Sequence, residues 1–565
     1  MQKRKSHAWI FNMAVDTICV NVFSTASTDH IGGMRMKRSI ALISCLLLAG
    51  CTGNGASDSL PTEEGFHESG LPIVDKPITL KIAGTYDERT GTNWNNLATI
   101  KELNEGTNIQ PEWNLVPGPE WSNKRNLILA SGDLPDVILS LTDSEVVTNG
   151  AGGLFIPLED LIDQYAPNLK NFLGKYPEVK KAIMAPDGHI YSLPLANMSE
   201  YKHASGNSLW INKEWLKKIG MDMPKTTEEF KKALKAFKEQ DMDGDGDPNN
   251  EIPLTGIYGD SLYGLGYLYG SFNTLDKTII VKDDKVIYVK ATPEYKKAIQ
   301  FIHSLYAEGL IDPEIFTQNS SQLIAKISSG DKATVGAFFA WSADQITKPQ
   351  YRWDYGSPIV PLKGPEGHQI TPRNNLQIDS AMFVITKANK YPRATMRWVD
   401  RAYEPEMSLK LREGPNRLKK LDDGTYDIIE NPPNYTPGEW KVKETPYNSF
   451  VYGFSQEMRD KMRLPKPEPG KLDPDFDEWY EILKPYMKPW VYPDILFTND
   501  QYKAIERYQT DIQAYADKMA AKWITKGGID EEWDNYIQTL ERMGLKDYIR
   551  VYQEAYDTNL KNTEN

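Results

Sequence analysis

The chain has 565 residues, 40% of them hydrophobic and 25% charged, with 40 Gly and 36 Pro. That is the composition of an ordinary globular protein of two to four domains, and it excludes collagen, low-complexity disorder and a polytopic membrane protein. Against 65 Lys and Arg stand 78 Asp and Glu, a formal net charge of −13. Such a balance argues against nucleic acid as the partner, because no excess of cations is available to displace phosphate counterions. The 30 Tyr and 14 Trp are a large stock of amphipathic rings and point to a binding surface.

Met36-Lys37-Arg38-Ser39 is followed by an apolar run from Ile40 to Ala49 and then by Gly50-Cys51. A short cationic segment, about ten apolar residues and small residues at a cleavage point make a secretory signal. The run is too short for a membrane-spanning helix, which needs about 20 residues. Leu48-Ala49-Gly50-Cys51 resembles the bacterial lipobox, which implies a diacylglycerol on the Cys51 thiol and Cys51 as the mature N-terminus. The protein is therefore expected to be exported and lipid-anchored to the membrane, at the cell surface or the periplasmic face. Residues 51–76 read as a flexible tether, small and polar from Thr52 to Glu64. Residues 1–35 show no clear pattern, and translation is expected to begin at Met34 or Met36. The cysteines are Cys19, Cys45 and Cys51, so the mature chain has neither free thiol nor disulfide. Thiol catalysis and zinc–thiolate sites are excluded.

Ile78 to Ala83 alternates apolar and polar residues and predicts a first strand. A helix from Asn95 to Glu105, a strand from Ile109 to Val116, a helix from Trp121 to Ser131 stopped by Gly132, and a strand from Pro135 to Leu139 follow. Strand–helix–strand alternation predicts a parallel sheet of the α/β class. A second set opens with Leu209 to Ile211 as strand, then helices over 213–219 and 227–239. Thr226 and Glu229 have the spacing of a capping box for the second of these. The Pro- and Tyr-rich region from about 350 to 500 has few clear helices before Pro392 to Tyr403. Residues 500–556 are strongly helical, broken at Gly527-Gly528 and again at Gly544.

Several segments then resemble one family. Ser131 to Val137 (SGDLPDV), Pro157 to Ile162 with Ala166-Pro167-Asn168, Asp187 to Pro194 (DGHIYSLP) and Leu209 to Gly220 (LWINKEWLKKIG) are similar to blocks of bacterial extracellular solute-binding lipoproteins. Trp533 to Tyr536, Gly544-Leu545 and Gln553 to Asp557 resemble that family's C-terminal block. The most similar subgroup is the large oligosaccharide- or alginate-binding lipoproteins of carbohydrate ABC importers. The resemblance implies a two-lobe α/β fold of the type II periplasmic-binding-protein kind, with a hinge and an interlobe cleft. It places residues 77–200 and roughly 350–435 in the N-terminal lobe, and 201–349 and roughly 436–565 in the C-terminal lobe. It also implies a monomer that delivers an oligosaccharide to the membrane permease of an ABC transporter, whose ATPase subunits supply the energy.

Asp241 to Glu251 (DMDGDGDPNNE) is the sharpest local motif. Oxygen-bearing side chains at 241, 243 and 245, followed by Gly246, reproduce the opening of an EF-hand-type Ca2+ loop. Asp247 would offer a carbonyl, and Asn249 and Glu251 would complete the shell. An EF-hand places its closing Glu at position 12, where this chain has Ile252; Glu251 falls at 11. In the resembled subgroup the loop closes with acids at positions 9 and 10, here Asn249 and Asn250. The expected role is structural, a divalent ion neutralising crowded acids.

Sugar binding requires flat apolar faces for the C–H sides of pyranose rings and polar groups for the hydroxyls. Open α/β sheets bind ligands beyond the C-terminal ends of their strands. The loop after the first strand offers Tyr86, Asp87, Arg89 and Trp94. The apolar run from Ala337 opens into Trp341, Asp344 and Gln345, and in the resembled subgroup a Trp near this place stacks on the ligand. Tyr201, Asn207, Tyr263 and Tyr267 are further candidates. Trp210, Trp215, Trp398, Trp523 and Trp533 sit among apolar neighbours at helical or strand spacing and read as core. His67, His189, His203, His303 and His368 show no metalloprotease spacing, and neither a phosphate-cradling glycine loop nor GxSxG is present. No catalytic residues are assigned. The alternatives are the same fold with a peptide or other solute, or a secreted polysaccharide-degrading lipoprotein whose paired carboxylates sequence cannot reveal.

Overall fold

The protein is described by a computed structural model over residues 60–87, 90–204, 206–343, 346–348, 350–356, 358–429, 437–463 and 476–561. The signal segment, Cys51, Arg89, Asp344 and Gln345 lie outside the described residues.

In chain order, β1 (Ile78–Tyr86), β2 (Ile109–Pro117) and β3 (Val137–Leu139) come first, β1 pairing parallel with both others. Helix α1 (Asp143–Ala151) starts at a Thr142–Glu145 capping box, and β4 (Leu193–Asn197) follows. Next come β5 (Ser208–Ile211), α2 (Thr227–Glu239) and β6 (Ile252–Thr255). Helix α2 has the predicted bounds and the predicted Thr226–Glu229 box, whose two reciprocal bonds satisfy otherwise orphaned N–H groups. After β7 (Val335–Ala340), β8 (Thr371–Pro372) and β9 (Gln377–Ile385) lie α3 (Pro405–Glu413), β10 (Tyr452–Phe454), α4 (Phe476–Leu483) and β11 (Met487–Lys488). Three helices close the chain: α5 (Asn499–Lys526), α6 (Ile529–Arg542) and α7 (Leu545–Lys561). They break at the predicted glycines, where Gly527, Gly528 and Gly544 have φ of +70°, +87° and +98°, a region costly for residues with a Cβ.

Two sheets organise two lobes. The first has the order β10-β4-β9-β3-β1-β2 and the second β5-β7-β6. β9 runs antiparallel to β3 and β4, while β10 is parallel to β4. In the second sheet β7 is parallel to β6 and antiparallel to β5. Each lobe has its own apolar core, one built around Trp94, Trp398 and Phe450, the other around Trp215, Phe237, Trp523 and Tyr536. The short parallel pair β8-β11 stands apart from both sheets.

The expected lobe boundaries need two corrections. Residues 437–463 belong to the first lobe, because β10 pairs with β4 and Phe450, Val451 and Met458 join its core. Residues 358–370 belong to the second, where Ile359 bridges Leu209, Lys363 bridges Thr226 and Ile370 is core. Only long-range pairing assigns either segment to its lobe. Among the described residues no helix is long and apolar enough to cross a membrane.

Candidate functional site: an interlobe cleft and a loop for a cation

Three segments run between the lobes: residues 198–207 from β4 to β5, residues 371–376 from β8 to β9, and residues 484–498 around β11. They are tied to one another by hydrogen bonds. His203, 6% exposed, bonds through Nδ1 to the Asn374 carbonyl at 2.6 Å, and its Nε2 faces the Arg373 guanidinium at 2.7 Å. A guanidinium can only donate, so Nε2 accepts and the ring is the neutral Nδ1–H tautomer. Burial first, and then the Arg373 charge, hold the His203 pKa below its ordinary value. The Arg373 backbone N–H donates to Lys488 O at 2.9 Å, and Asn375 Nδ2 donates to Tyr492 O at 2.8 Å and to Asp494 Oδ1 at 2.9 Å.

The C-terminal ends of β1, β3, β4 and β10 and the start of β9 form one edge of the first sheet; the ends of β6 and β7 and the start of β5 form an edge of the second. The crossings join these two edges. Trp341 follows β7 directly and is half-buried. The Lys202 ammonium, on the first crossing, lies 5.7 Å from the ring centroids of both Trp341 and Tyr201. Lys202 is thus set between its neighbour on the crossing, Tyr201, and Trp341 of the second lobe.

Behind Lys202 the first lobe is strongly charged. Arg412 on α3 donates to the Tyr201 hydroxyl at 2.7 Å, and the Arg459 guanidinium lies 5.2 Å from the Tyr201 ring. Burial would raise the Tyr201 pKa, but Arg412, Lys202 and Arg459 outweigh it and lower it. Arg412 is paired with Glu413 and Arg459 with Asp477. Lys202 has no carboxylate at ion-pair distance among the described residues, and burial, with Arg412 nearby, lowers its pKa.

Further charged groups are carried by both lobes and by the third crossing. Asp143 begins α1 beyond β3 and accepts from Ser380 Oγ; Asp379 lies on β9; Asp494 is on the third crossing; Asp276 and Lys277 come from the second lobe. Asp276 and Asp494 are solvent-exposed, yet burial raises both pKa values. Asp494 is close enough to feel the charges of Asp143, Asp379 and Lys277, and Lys202 feels that of Asp379. Electrostatic coupling thus links Lys277 of the second lobe to Asp494 on the third crossing, and Asp379 on β9 to Lys202.

The structure places the sequence-predicted residues unevenly. Trp94 is a correction: it is 0% exposed, because a 3-10 turn at Trp94–Asn96 folds its ring under β2, 4.9 Å from Trp113. Tyr201 is also buried, at 5% exposed, so it backs Lys202 and offers no open face. Tyr267 donates its hydroxyl to Ile359 O at 2.6 Å and packs on the second core. Tyr263 packs against a smaller cluster with Phe338 and Tyr355, and Asn207 ties β5 to the Gly264 carbonyl. Tyr86 and Asp87 end β1 at the edge of the first lobe, both partly exposed. Lys202, Asp143, Asp276, Lys277, Asp379 and Asp494 escaped the sequence reading; Lys202 alone had a local signal, being adjacent to Tyr201. A wide recess of about 1430 Å³ along β2 and α-helical residues 98–104 lies at the outer edge of the first sheet, away from the crossings.

The acidic loop leads from α2 into β6. Ligand atoms of Asp241, Asp243 and Glu251 lie within 4.8 Å of one another. Glu251 is 7% exposed; its Oε1 accepts from Met242 N–H, while Oε2 is buried without a partner. A buried carboxylate oxygen left unbonded is costly, and it fits a hard cation that takes oxygen ligands. Gly244 and Gly246, at φ +75° and +98°, permit the turn. Asp245 accepts from Asn250 Nδ2 at 2.6 Å, and Asp247 from Asn249 N–H and Nδ2 at 3.1 and 2.9 Å, so these three stand outside the converging triad. The loop enters the N-terminal end of β6, about 10 Å of strand away from the cleft end.

Two lobes with their own cores, three crossings and a polar aromatic cleft at the strand ends define a two-lobe binding protein of the hinged kind. Residues 91–408 match the family described as bacterial extracellular solute-binding protein, and the chain belongs to that family. It is 32% identical over 92% of its length, and over 97% of the relative, to the fructooligosaccharide ABC transporter substrate-binding protein FusA of Streptococcus pneumoniae serotype 4. The S. pneumoniae FusA structure in complex with kestose superposes with a TM-score of 0.73 at 30% identity, covering 86% of this chain and 100% of that one; a FusA EF-hand mutant in complex with fructo-nystose gives the same values. An HMO-binding, ABC-transporter-associated solute-binding protein from Bifidobacterium longum infantis follows at 25% identity and TM-score 0.72, with 86% and 99% covered.

Proposed function

We propose that this protein is the substrate-binding component of an ABC importer, capturing an oligosaccharide in the interlobe cleft and handing it to the membrane permease. The observation that carries this is the placement of Trp341 at the end of β7, its ring facing Lys202 on a crossing between the lobes. An indole face suits the C–H side of a sugar ring, and the cleft's ammonium and carboxylate groups suit its hydroxyls. Ligand contacts from both lobes favour a closed form by differential affinity, with motion taken up in the three crossings. Asp87, Tyr263 and Asn207 flank the site, and Arg89, Asp344 and Gln345 join it on sequence grounds. The chain binds and releases its ligand without chemical change.

Asp241, Asp243 and Glu251 hold a Ca2+ ion, supported by the unpartnered Glu251 oxygen and by the existence of an EF-hand mutant of the relative; Asp245, Asp247 and Asn249 turn toward it when it binds. The ion braces the second lobe and takes no part in ligand contact. Cys51 carries the lipid that holds the monomeric protein at the membrane. Thermal unfolding of the refolded protein against an oligosaccharide panel tests the proposal: one sugar class should raise the midpoint by several degrees with the sugar recovered intact. Absence of any shift across the panel, or consumption of the sugar, would refute it.

A further inference from the structure

We infer that the contact between α1 and the first turn of α5 is a latch that gives way when the lobes move, so that α5 sets how readily the cleft opens and closes. This rests on the reading of a ligand that closes the lobes, and adds to it a device outside the three crossings.

Helix α5 is held by both lobes. Ile505, Ile512, Ala516, Ala520, Trp523 and Ile524 lie in the second core, where the helix packs against Pro293–Ala307 and α7. Its N-terminal end is attached to the first lobe instead. Thr148 Oγ1 on α1 donates to Asn499 Oδ1 at 2.7 Å. Leu496 and Tyr502 pack against the cluster that contains Val146 and Val147 of α1 with Ala83, Ile138 and Val384 of the first sheet. Between these two, Phe497 packs on the second core, its ring 5.2 Å from that of Tyr552 on α7 and 5.5 Å from that of Tyr502. The border between the lobes therefore falls inside one helix, between Tyr502 and Ile505.

An irregular crossing absorbs a rotation of the lobes in its φ and ψ angles. Helix α5 is poorly suited to that. It has 28 residues with neither Pro nor Gly among them, the usual places for a kink. Its first turn is also closed by a capping box, Thr498 Oγ1 accepting from Gln501 N–H and Gln501 Oε1 from Thr498 N–H at 2.9 Å, which opposes fraying. A straight, capped helix seated on two moving bodies has to slide on one of them. The two seats are unequal. In the second lobe Ile512, Ala516, Ala520, Trp523 and Ile524 are 0% exposed. At the first-lobe end Leu496 and Tyr502 are only half-buried, Thr148 is exposed, and the bond to Asn499 joins two neutral side chains at the surface, where water readily replaces it. The α1 contact is the one that lets go.

A reversible cross-link tests this. In the full chain with Cys19→Ser, Cys45→Ser and Cys51→Ser, Thr148→Cys and Asn499→Cys are joined by a short thiol reagent that a reductant cleaves. The probe is whichever of a panel of fructo-, malto-, xylo-, galacto-, galacturonate and alginate oligomers most raises the unfolding midpoint of wild type. Unlinked, the variant should bind that sugar within tenfold of wild type, and its radius of gyration should fall on binding. Linked, its radius should stay fixed and its affinity drop at least tenfold, and cleavage of the link should restore both in the same sample. A linked protein that contracts and binds like the unlinked one overturns the latch and leaves closure intact. A wild type that binds a sugar without contracting overturns closure itself, and one that binds no sugar overturns the binding reading and the latch with it. Hydrogen exchange of wild type decides the matter without any variant. Amides of residues 499–503 should change protection at least threefold on sugar binding while those of 512–524 hold, and no change at either end contradicts the latch.

Discussion

Glu413→Gln should destabilise the first lobe severely, because one carboxylate there holds three cations. Glu413 is 4% exposed; it pairs with Arg412, with Lys441 at 2.8 Å and with Arg417 at 3.2 Å. Burial alone would raise its pKa, yet Lys441, Arg412 and Arg417 bring it from 4.5 to about 2. Roughly two and a half units correspond to about 3 kcal/mol of preference for the ionised form. Removing one partner of a buried ion pair costs about 3–5 kcal/mol, since the remaining charges are left uncompensated. For a unit of lobe size, about 2–4 °C of midpoint per kcal/mol gives a fall of about 10 °C, readable by differential scanning calorimetry at pH 7. The sign with pH follows from the lowered pKa. The stabilisation is complete above 4.5, the unfolded value, and disappears as pH falls toward about 2. The gap between wild type and variant should therefore be constant above pH 5 and shrink steadily below pH 4.5. A fall under about 2 °C at pH 7, or a gap unchanged at pH 3, would refute the reasoning.

Trp341→Ala should weaken the best sugar by about tenfold or more, about 1.4 kcal/mol, with the unfolding midpoint kept within about 2 °C; unchanged affinity in calorimetry removes Trp341 from the site. Chelation of Ca2+ should lower the midpoint, since an ion held at 100 times its Kd stabilises by about 2.7 kcal/mol, and Glu251→Gln should abolish that response; a wild type indifferent to chelator and added Ca2+ contradicts the loop assignment. His203 has a lowered pKa, so its contribution to stability is full above 6.5 and is lost as pH falls below it, at most about 1.4 kcal/mol per pH unit. His203→Gln should flatten the decline in midpoint between pH 6.5 and 5, and an identical slope in both proteins would show that the hinge histidine does not titrate there.

What the sequence could carry was local. Alternation in Ile78 to Ala83, the Thr226–Glu229 box and the glycines at 527–528 and 544 each encode a backbone preference within a few residues, and β1, α2 and the breaks between α5, α6 and α7 lie where those preferences put them. The lobe boundaries depend instead on pairings such as Tyr452 with Leu195, which no window of residues records. Trp94 shows the same limit at one position. Its loop has the composition of a binding loop, yet a single 3-10 turn returns the ring to the core. For the Ca2+ loop, spacing sufficed to mark the acids, but only the packing of Met242 and Glu251 selects which three converge. The cleft lining was least legible. Asp143, Lys202, Asp379 and Asp494 come from four separate stretches of chain, and their electrostatic coupling arises only in the folded protein.

The central claim is that a sugar is held between the lobes and closes them. Small-angle X-ray scattering of the refolded protein, with and without saturating amounts of the sugar that most raises its unfolding midpoint, tests this most directly. The radius of gyration should fall on addition of that sugar in wild type and stay unchanged when it is added to Trp341→Ala at the same concentration. A bound sugar that leaves the wild-type radius unchanged, or shrinks both proteins equally, would place the ligand outside the cleft and contradict the account.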